Sequence, residues 1–178
     1  MEAPRAKGTS LWLMPEGAAH DRLAALIGRL ATRFGTAPFA PHVTLLPGVP
    51  GPERDVLETA RTLAAELAPV PVGFSVLDGL EHHFRCLFLR VQASKALREA
   101  HARAATRFGR EPEASFDPHL SLVYGTLDAQ MKTELVRELA TETTTRFDAR
   151  RLRVWRTEGP VGEWRELGTL ALGRGANV

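Results

Sequence analysis

Apolar residues recur along this chain with two different spacings. Residues 10–14 (SLWLM) are a short apolar run closed by Pro15, which predicts a strand. Residues 18–34 place Leu23, Leu26, Ile27, Leu30 and Phe34 on one stripe, the period of a helix, and Gly35 ends it. Residues 42–46 (HVTLL) read as a strand stopped by Pro47 and Gly48. Pro52 suits the first turn of a second helix running to about Leu67, which Pro69 and Pro71 break. Residues 72–78 and 84–91 read as strands separated at Gly79.

The order then repeats. Residues 94–108 are helical, with Leu97, Ala100, Ala104 and Phe108 on one side. A polar loop, GREPEASFDP, leads into a strand at 119–124 (HLSLVY) that ends at Gly125. Residues 128–140 form a helix with Asp128 as its cap and Met131, Leu135 and Leu139 inward. Residues 146–156 and 163–172 are strands joined through Gly159, Pro160 and Gly162. Each half is therefore strand, helix, a strand beginning with His, helix and strands. His42 and His119 are 77 positions apart, close to half of the 178 residues. This period predicts an α+β fold of two pseudo-symmetric lobes. Each lobe is an antiparallel sheet with helices on its outer face. The two sheets are expected to face each other across a central cleft rather than to pair edge to edge.

Composition narrows the class. Hydrophobic residues are 44% and charged residues 25%, so the chain is neither disordered nor collagen-like. It is too short for a full eightfold β/α barrel, which takes about 250 residues. The single Cys86 allows no internal disulfide and disfavours a Cys-based metal site. The N-terminal segment has only a four-residue apolar run, Leu11 to Met14, which is short for a signal peptide or a membrane span; a cytoplasmic protein is expected. The net charge of +2 sets no strong overall field. One basic cluster stands out: Arg146, Arg150, Arg151, Arg153 and Arg156, with Asp148 the only acid among them. It reads either as a phosphate-binding face or as a solvated strand face.

The chemistry lies in the repeated strand. PHVTLLPG (residues 41–48) and PHLSLVYG (residues 118–125) align in Pro, His, an aliphatic residue, a hydroxyl residue and Leu. Strand side chains alternate, so His42 and Thr44 share one face, as do His119 and Ser121. Two imidazoles of ordinary pKa near 6.5 suit general base and general acid work near neutrality. Two hydroxyls suit hydrogen bonds to the equatorial oxygens of a phosphate. Such a set needs no metal or other cofactor, and no third and fourth ligand accompanies the two histidines.

These paired His-x-(Ser/Thr) motifs resemble the 2H phosphoesterase superfamily. The stretches SLWLMP, TRFGTAPFAPHVTLLPG, HHFRCLFL, DPHLSLVYG and RVWRTEG…EWRELGTLAL are similar to its cyclic phosphodiesterase branch, which includes plant enzymes acting on ADP-ribose 1″,2″-cyclic phosphate. The resemblance covers nearly the whole chain. It implies one domain over residues 1–178, in two lobes that exchange terminal segments, the halves spanning about 9–80 and 84–172. It implies His42, His119, Thr44 and Ser121 as the catalytic set, with Tyr124 near the site and Trp12 and Phe84 contacting the base or shaping the pocket. Strict alternation turns Tyr124 away from the cleft unless its strand bends. Trp155 and Trp164 are expected in the core, His82 and His83 in an exposed turn, and His20 and His101 as incidental helix residues.

The expected activity is metal-independent hydrolysis of a cyclic phosphodiester on a small nucleotide-like substrate, by a monomer without membrane attachment. Two alternatives remain at this point: an RNA 2′,3′-cyclic phosphodiesterase or 2′-5′ RNA ligase-like enzyme acting on RNA ends, and a non-catalytic nucleotide- or RNA-end-binding module.

Overall fold

The computed structural model describes residues 6–141 and 146–173. Part of the N-terminal segment considered above for a signal peptide, residues 1–5, lies outside the described residues. In chain order the elements are β1 (Thr9–Leu13), α1 (Gly17–Phe34), β2 (Val43–Val49), α2 (Glu53–Glu66), β3 (Val70–Val72), β4 (Phe74–Asp78), β5 (Leu87–Val91), α3 (Lys95–Arg107), β6 (His119–Val123), α4 (Ala129–Glu138), β7 (Phe147–Ala149), β8 (Arg151–Arg156) and β9 (Arg165–Ala171). Short 3₁₀ turns lie at His83–Arg85 and Val161–Glu163.

Local chemistry sets most of these boundaries. Helix α1 buries Leu23, Leu26, Ile27 and Leu30, the stripe read from the sequence. It stops where Gly35 takes a φ of 63°, a left-handed conformation open to glycine, and returns its N–H to the Ala31 carbonyl. Helix α3 starts where the Ser94 hydroxyl accepts from the Leu97 N–H at 3.2 Å. Helix α4 starts where the Asp128 carboxylate accepts from the Met131 N–H at 2.8 Å. Each such cap contributes about 1 kcal/mol. Two of the expected strands are split. Residues 72–78 divide at Gly73, where an added Cβ would meet the Gln92 side chain at 3.2 Å. The run over 146–156 divides at Arg150 into β7 and β8, which belong to different sheets.

Seven strands form one antiparallel sheet in the order β4-β5-β6-β2-β1-β8-β9, and β3 pairs with β7 in a second. The trio β4-β5-β6 is matched by β8-β1-β2. Strand β4 follows the first half in sequence but pairs with β5, and β8 follows the second half but pairs with β1. Two pairings join equivalent strands of the halves: Val43 opposite Leu120 in the large sheet, and Pro71 opposite Asp148 in the small one. Both relate residues 77 positions apart, the spacing of the two histidines. The repeat in the sequence is thus a repeat in space.

The α+β class and antiparallel sheets are as expected, but the halves do share an edge. Their histidine-bearing strands, β2 and β6, meet at the single pair Val43–Leu120. Pro41 and Pro118, just before the histidines, have no N–H to continue a ladder. One pair is enough to place 42 beside 121 and 44 beside 119 on the same face. On the other face Leu11, Leu13, Val43, Leu45, Leu89 and Leu120 join the helices in one core spanning both halves. Helix α1 packs against β6 and α3 against β2, so each half's helix covers the other half's strand.

Candidate active site

A cavity of about 450 Å³ opens on the face that carries the motifs. His42, Thr44, His119, Ser121, Tyr124, Trp12 and Phe84 all line it. The two imidazoles are held alike. His42 Nδ1 lies 2.7 Å from the Ala40 carbonyl, and His119 Nδ1 lies 3.1 Å from the Asp117 carbonyl. A carbonyl only accepts, so in both rings Nδ1 carries the proton and Nε2 is the free basic atom. The carbonyl comes from two residues upstream in each half, a device the Pro-His sequence repeats along with the motif.

The surroundings of the two rings differ. Trp12 stacks on His42 with ring centroids 3.5 Å apart and 8° between planes. Trp12 stands beside Thr44 in the β1–β2 register. His42 is buried, and burial with the nearby charge of His119 pushes its pKa down to about 4 against the pull of the Ala40 carbonyl. His119 instead meets the edge of Phe88 at 5.4 Å. Phe88 stands beside Ser121 as Trp12 stands beside Thr44. Burial lowers the His119 pKa, Arg85 and His82 lower it further, and the Asp117 carbonyl and carboxylate oppose them. That carboxylate is paired with Arg85 and with Arg90, the guanidinium of Arg85 lying over the Phe88 ring.

The hydroxyls also differ. Ser121 Oγ donates to the Phe84 carbonyl at 2.7 Å. The Thr44 hydroxyl makes no hydrogen bond to another described residue. It is ready to donate to a ligand, whereas Ser121 must release a backbone bond first.

Strand β6 ends at Val123, so alternation no longer governs Tyr124, and its phenol turns into the cavity. Its hydroxyl lies 3.5 Å from His42 Nε2, and its ring stacks on Phe39 at 3.8 Å. Burial holds its pKa well above the usual phenol range, partly offset by the Ser121 hydroxyl, so it stays a neutral donor.

Some readings need correcting. Trp164, expected in the core, lines the cavity with its edge toward Trp12 and Tyr124 at 5.9 Å each. Trp155 stacks behind Trp12 at 4.6 Å. His82 is exposed, as a turn residue should be, yet it also lines the cavity. His101 is buried and doubly hydrogen-bonded. None of Phe39, Phe88, Arg85 and Asp117 was singled out from the sequence as a site residue. The homology of Trp12 and Phe88 across the repeat is the one signal that could have found Phe88. None of the five clustered arginines lines the cavity. Arg151 pairs with Glu16, Arg153 with Glu16 and Glu166, and Arg156 with Glu53 and Glu158. Three of the five arginines are thus paired to glutamates on a strand face, and Arg146 and Arg150 are exposed.

No group of three or more His, Cys, Asp or Glu among the described residues is placed to hold a metal ion. No described helix is long and apolar enough to cross a membrane.

A cyclic phosphodiesterase of Arabidopsis thaliana is 24% identical over 132 residues, covering 74% of this chain and 73% of that one. Among solved structures, E. coli LigT in its apo form superposes with a TM-score of 0.59 at 13% identity, covering 96% of this chain and 100% of LigT. LigT complexed with 3′-AMP gives a TM-score of 0.57, at 13% identity and the same coverage. These structural likenesses show the shared fold. The sequence pattern of the 2'-5' RNA ligase superfamily matches residues 15–160, most of the chain and both histidine motifs, and the protein belongs to that superfamily.

Proposed function

We propose that this protein hydrolyses cyclic phosphodiesters on small nucleotide-like substrates, by general acid and base catalysis from His42 and His119 without a metal. Membership of the superfamily supports phosphodiester hydrolysis or ligation in general. The observation that carries the finer reading is the pair of imidazoles in one cavity, each with Nδ1 on a backbone carbonyl and an unprotonated Nε2, that of His42 3.5 Å from the Tyr124 hydroxyl. The Arabidopsis relative's name, cyclic phosphodiesterase, agrees with it. So does the cavity size, within the roughly 300–1,000 Å³ of small-ligand sites.

The chemistry balances on these groups alone. One Nε2 takes a proton from water as its oxygen bonds to phosphorus. The other imidazole, protonated, gives its proton to the ester oxygen as the ring P–O bond breaks. Water is consumed, and the product is a phosphomonoester. Burial lowers both imidazole pKa values. The anionic substrate raises proton affinity, so it brings the acid's proton into the site with it. Thr44 and Ser121 hold the equatorial oxygens, and Trp12, Phe84 and Tyr124 face the nucleoside. The halves at about 9–80 and 84–172 act as one catalytic unit, and a single chain suffices.

The test is product analysis with 2′,3′-cyclic nucleotides and ADP-ribose 1″,2″-cyclic phosphate, with EDTA present. His42→Ala and His119→Ala should each lower turnover by about 10²–10⁴-fold while retaining some binding. Unchanged turnover in both variants overturns the reading, and loss of all activity in EDTA overturns its metal-free part. Cyclic-phosphate RNA is the comparison substrate. A steep salt dependence would instead favour action on RNA ends, a role to which the arginine cluster, lying outside the cavity lining, lends no support.

A further inference from the structure

Strands β2 and β6 pair only at Val43 and Leu120. In the continued register Leu45 stands opposite Pro118, which has no N–H to offer. The Leu45 carbonyl is satisfied from elsewhere: His101 Nδ1, from α3, lies 2.8 Å away. The other ring nitrogen of His101 accepts from the Glu113 N–H at 3.3 Å. The ring stacks on Phe116 with centroids 3.9 Å apart and 5° between planes. It is 3% exposed. With Nδ1 donating to a carbonyl and Nε2 accepting from an amide, both edges of a neutral imidazole are used in one fixed tautomer.

The two ends of this link matter. Leu45 follows Thr44 in β2. Phe116 precedes Asp117, whose carbonyl orients His119. The loop between α3 and β6 has one further tie to the same strand, from Arg110 to the Pro47 carbonyl at 2.6 Å. A buried polar link of this kind is needlessly specific for packing, where Leu or Phe would fill the space.

We infer that His101 is a positioning residue of the cavity: a neutral strut that holds the loop before His119 at a set distance from the strand bearing Thr44. It touches no reacting atom. The kinetic part of this inference rests on the hydrolysis proposed above; the structural part does not. Small displacements of catalytic groups are costly, with about 1 Å worth up to about 100-fold in rate.

The test uses the full chain and its His101→Phe and His101→Gln variants. Phe keeps the stacking on Phe116 and loses both hydrogen bonds; Gln retains one of them. In the wild type, ¹⁵N-detected ring signals should show His101 as the Nδ1–H tautomer. In His101→Phe, still melting cooperatively, kcat should fall about 10–100-fold with KM within about threefold. The His119 ring signals should shift while those of His42 stay in place. His101→Gln should be intermediate. Wild-type kcat and unshifted His119 signals in His101→Phe overturn the inference, as does the opposite tautomer in the wild type. Equal disturbance of both catalytic rings also overturns it, since that marks general loosening. If the Phe variant does not fold, the Gln variant decides by the same signals. If the wild-type chain hydrolyses no cyclic phosphodiester, the functional reading fails, and the His119 signals still decide the strut.

Discussion

The indole of Trp12 covers the imidazole of His42 face to face, 3.5 Å between centroids. This contact removes water from one side of the ring and accounts for much of the burial that holds its pKa near 4. Trp12→Leu is therefore expected to raise the His42 pKa toward 6.5, read by NMR titration. It should also cost about 2 kcal/mol of stability, read by denaturant unfolding. An unmoved titration would mean that the indole is not what dries the ring.

Tyr124 reaches His42 from the other half of the chain. Tyr124→Phe removes only the hydroxyl and keeps the stacking on Phe39. Its stability should stay within about 1 kcal/mol of wild type, while kcat falls about tenfold. Steady-state kinetics alongside a thermal melt separates the two effects.

The unequal hydroxyls predict unequal variants. Thr44→Ala loses a donor that no other described residue uses. It should lower kcat/KM about 10–100-fold with no change in the melt. Ser121→Ala also leaves the Phe84 carbonyl without its partner. It should lose about 1 kcal/mol of stability besides activity. Identical behaviour of the two would show that the serine bond is not made in solution.

His42 makes the fold sensitive to acid. Its folded pKa, about 4, lies below the unfolded value near 6.5, so the unfolded chain binds the extra proton first. Stability is full above pH 6.5 and declines as pH falls toward 4, by about 3 kcal/mol from this group. Burial of His119 acts in the same direction. A His42→Asn variant should show a shallower loss over the same window, measured by urea midpoints at stepped pH.

Asp117 opposes that lowering at His119. Asp117→Asn should make His119 titrate lower still, and should move the limb of the kcat/KM profile that His119 sets toward lower pH. The limb belongs to the free enzyme. A shift toward higher pH would remove Asp117 from any role in tuning this ring.

The histidine motifs were legible because strand alternation is local: His42 with Thr44, and His119 with Ser121, need only the period of two. The aromatic flank at Trp12 and Phe84 was legible through resemblance. Tyr124 was readable by type but not by direction, because alternation fails where β6 ends at Val123. The cavity-facing side of Trp164, His82 and His101 was missed for a common reason, although His82 is exposed as expected. A Trp in a strand, a His in a turn and a His in a helix look the same in sequence whether they face a cavity or a core.

Local pattern alone specifies two matching histidine motifs 77 residues apart, an α+β chain with helices between its strands, and a candidate site of paired imidazoles and hydroxyls. The tertiary structure decided how the half-sites meet: through Val43 and Leu120, with strands exchanged between the halves. It also decided how they differ. His42 is dried by Trp12 and touched by Tyr124, whereas His119 sits beside Arg85 and Asp117. A repeated local pattern dictates like backbones in both halves. Burial and charge depend on which distant side chains arrive, and those neighbours do not repeat.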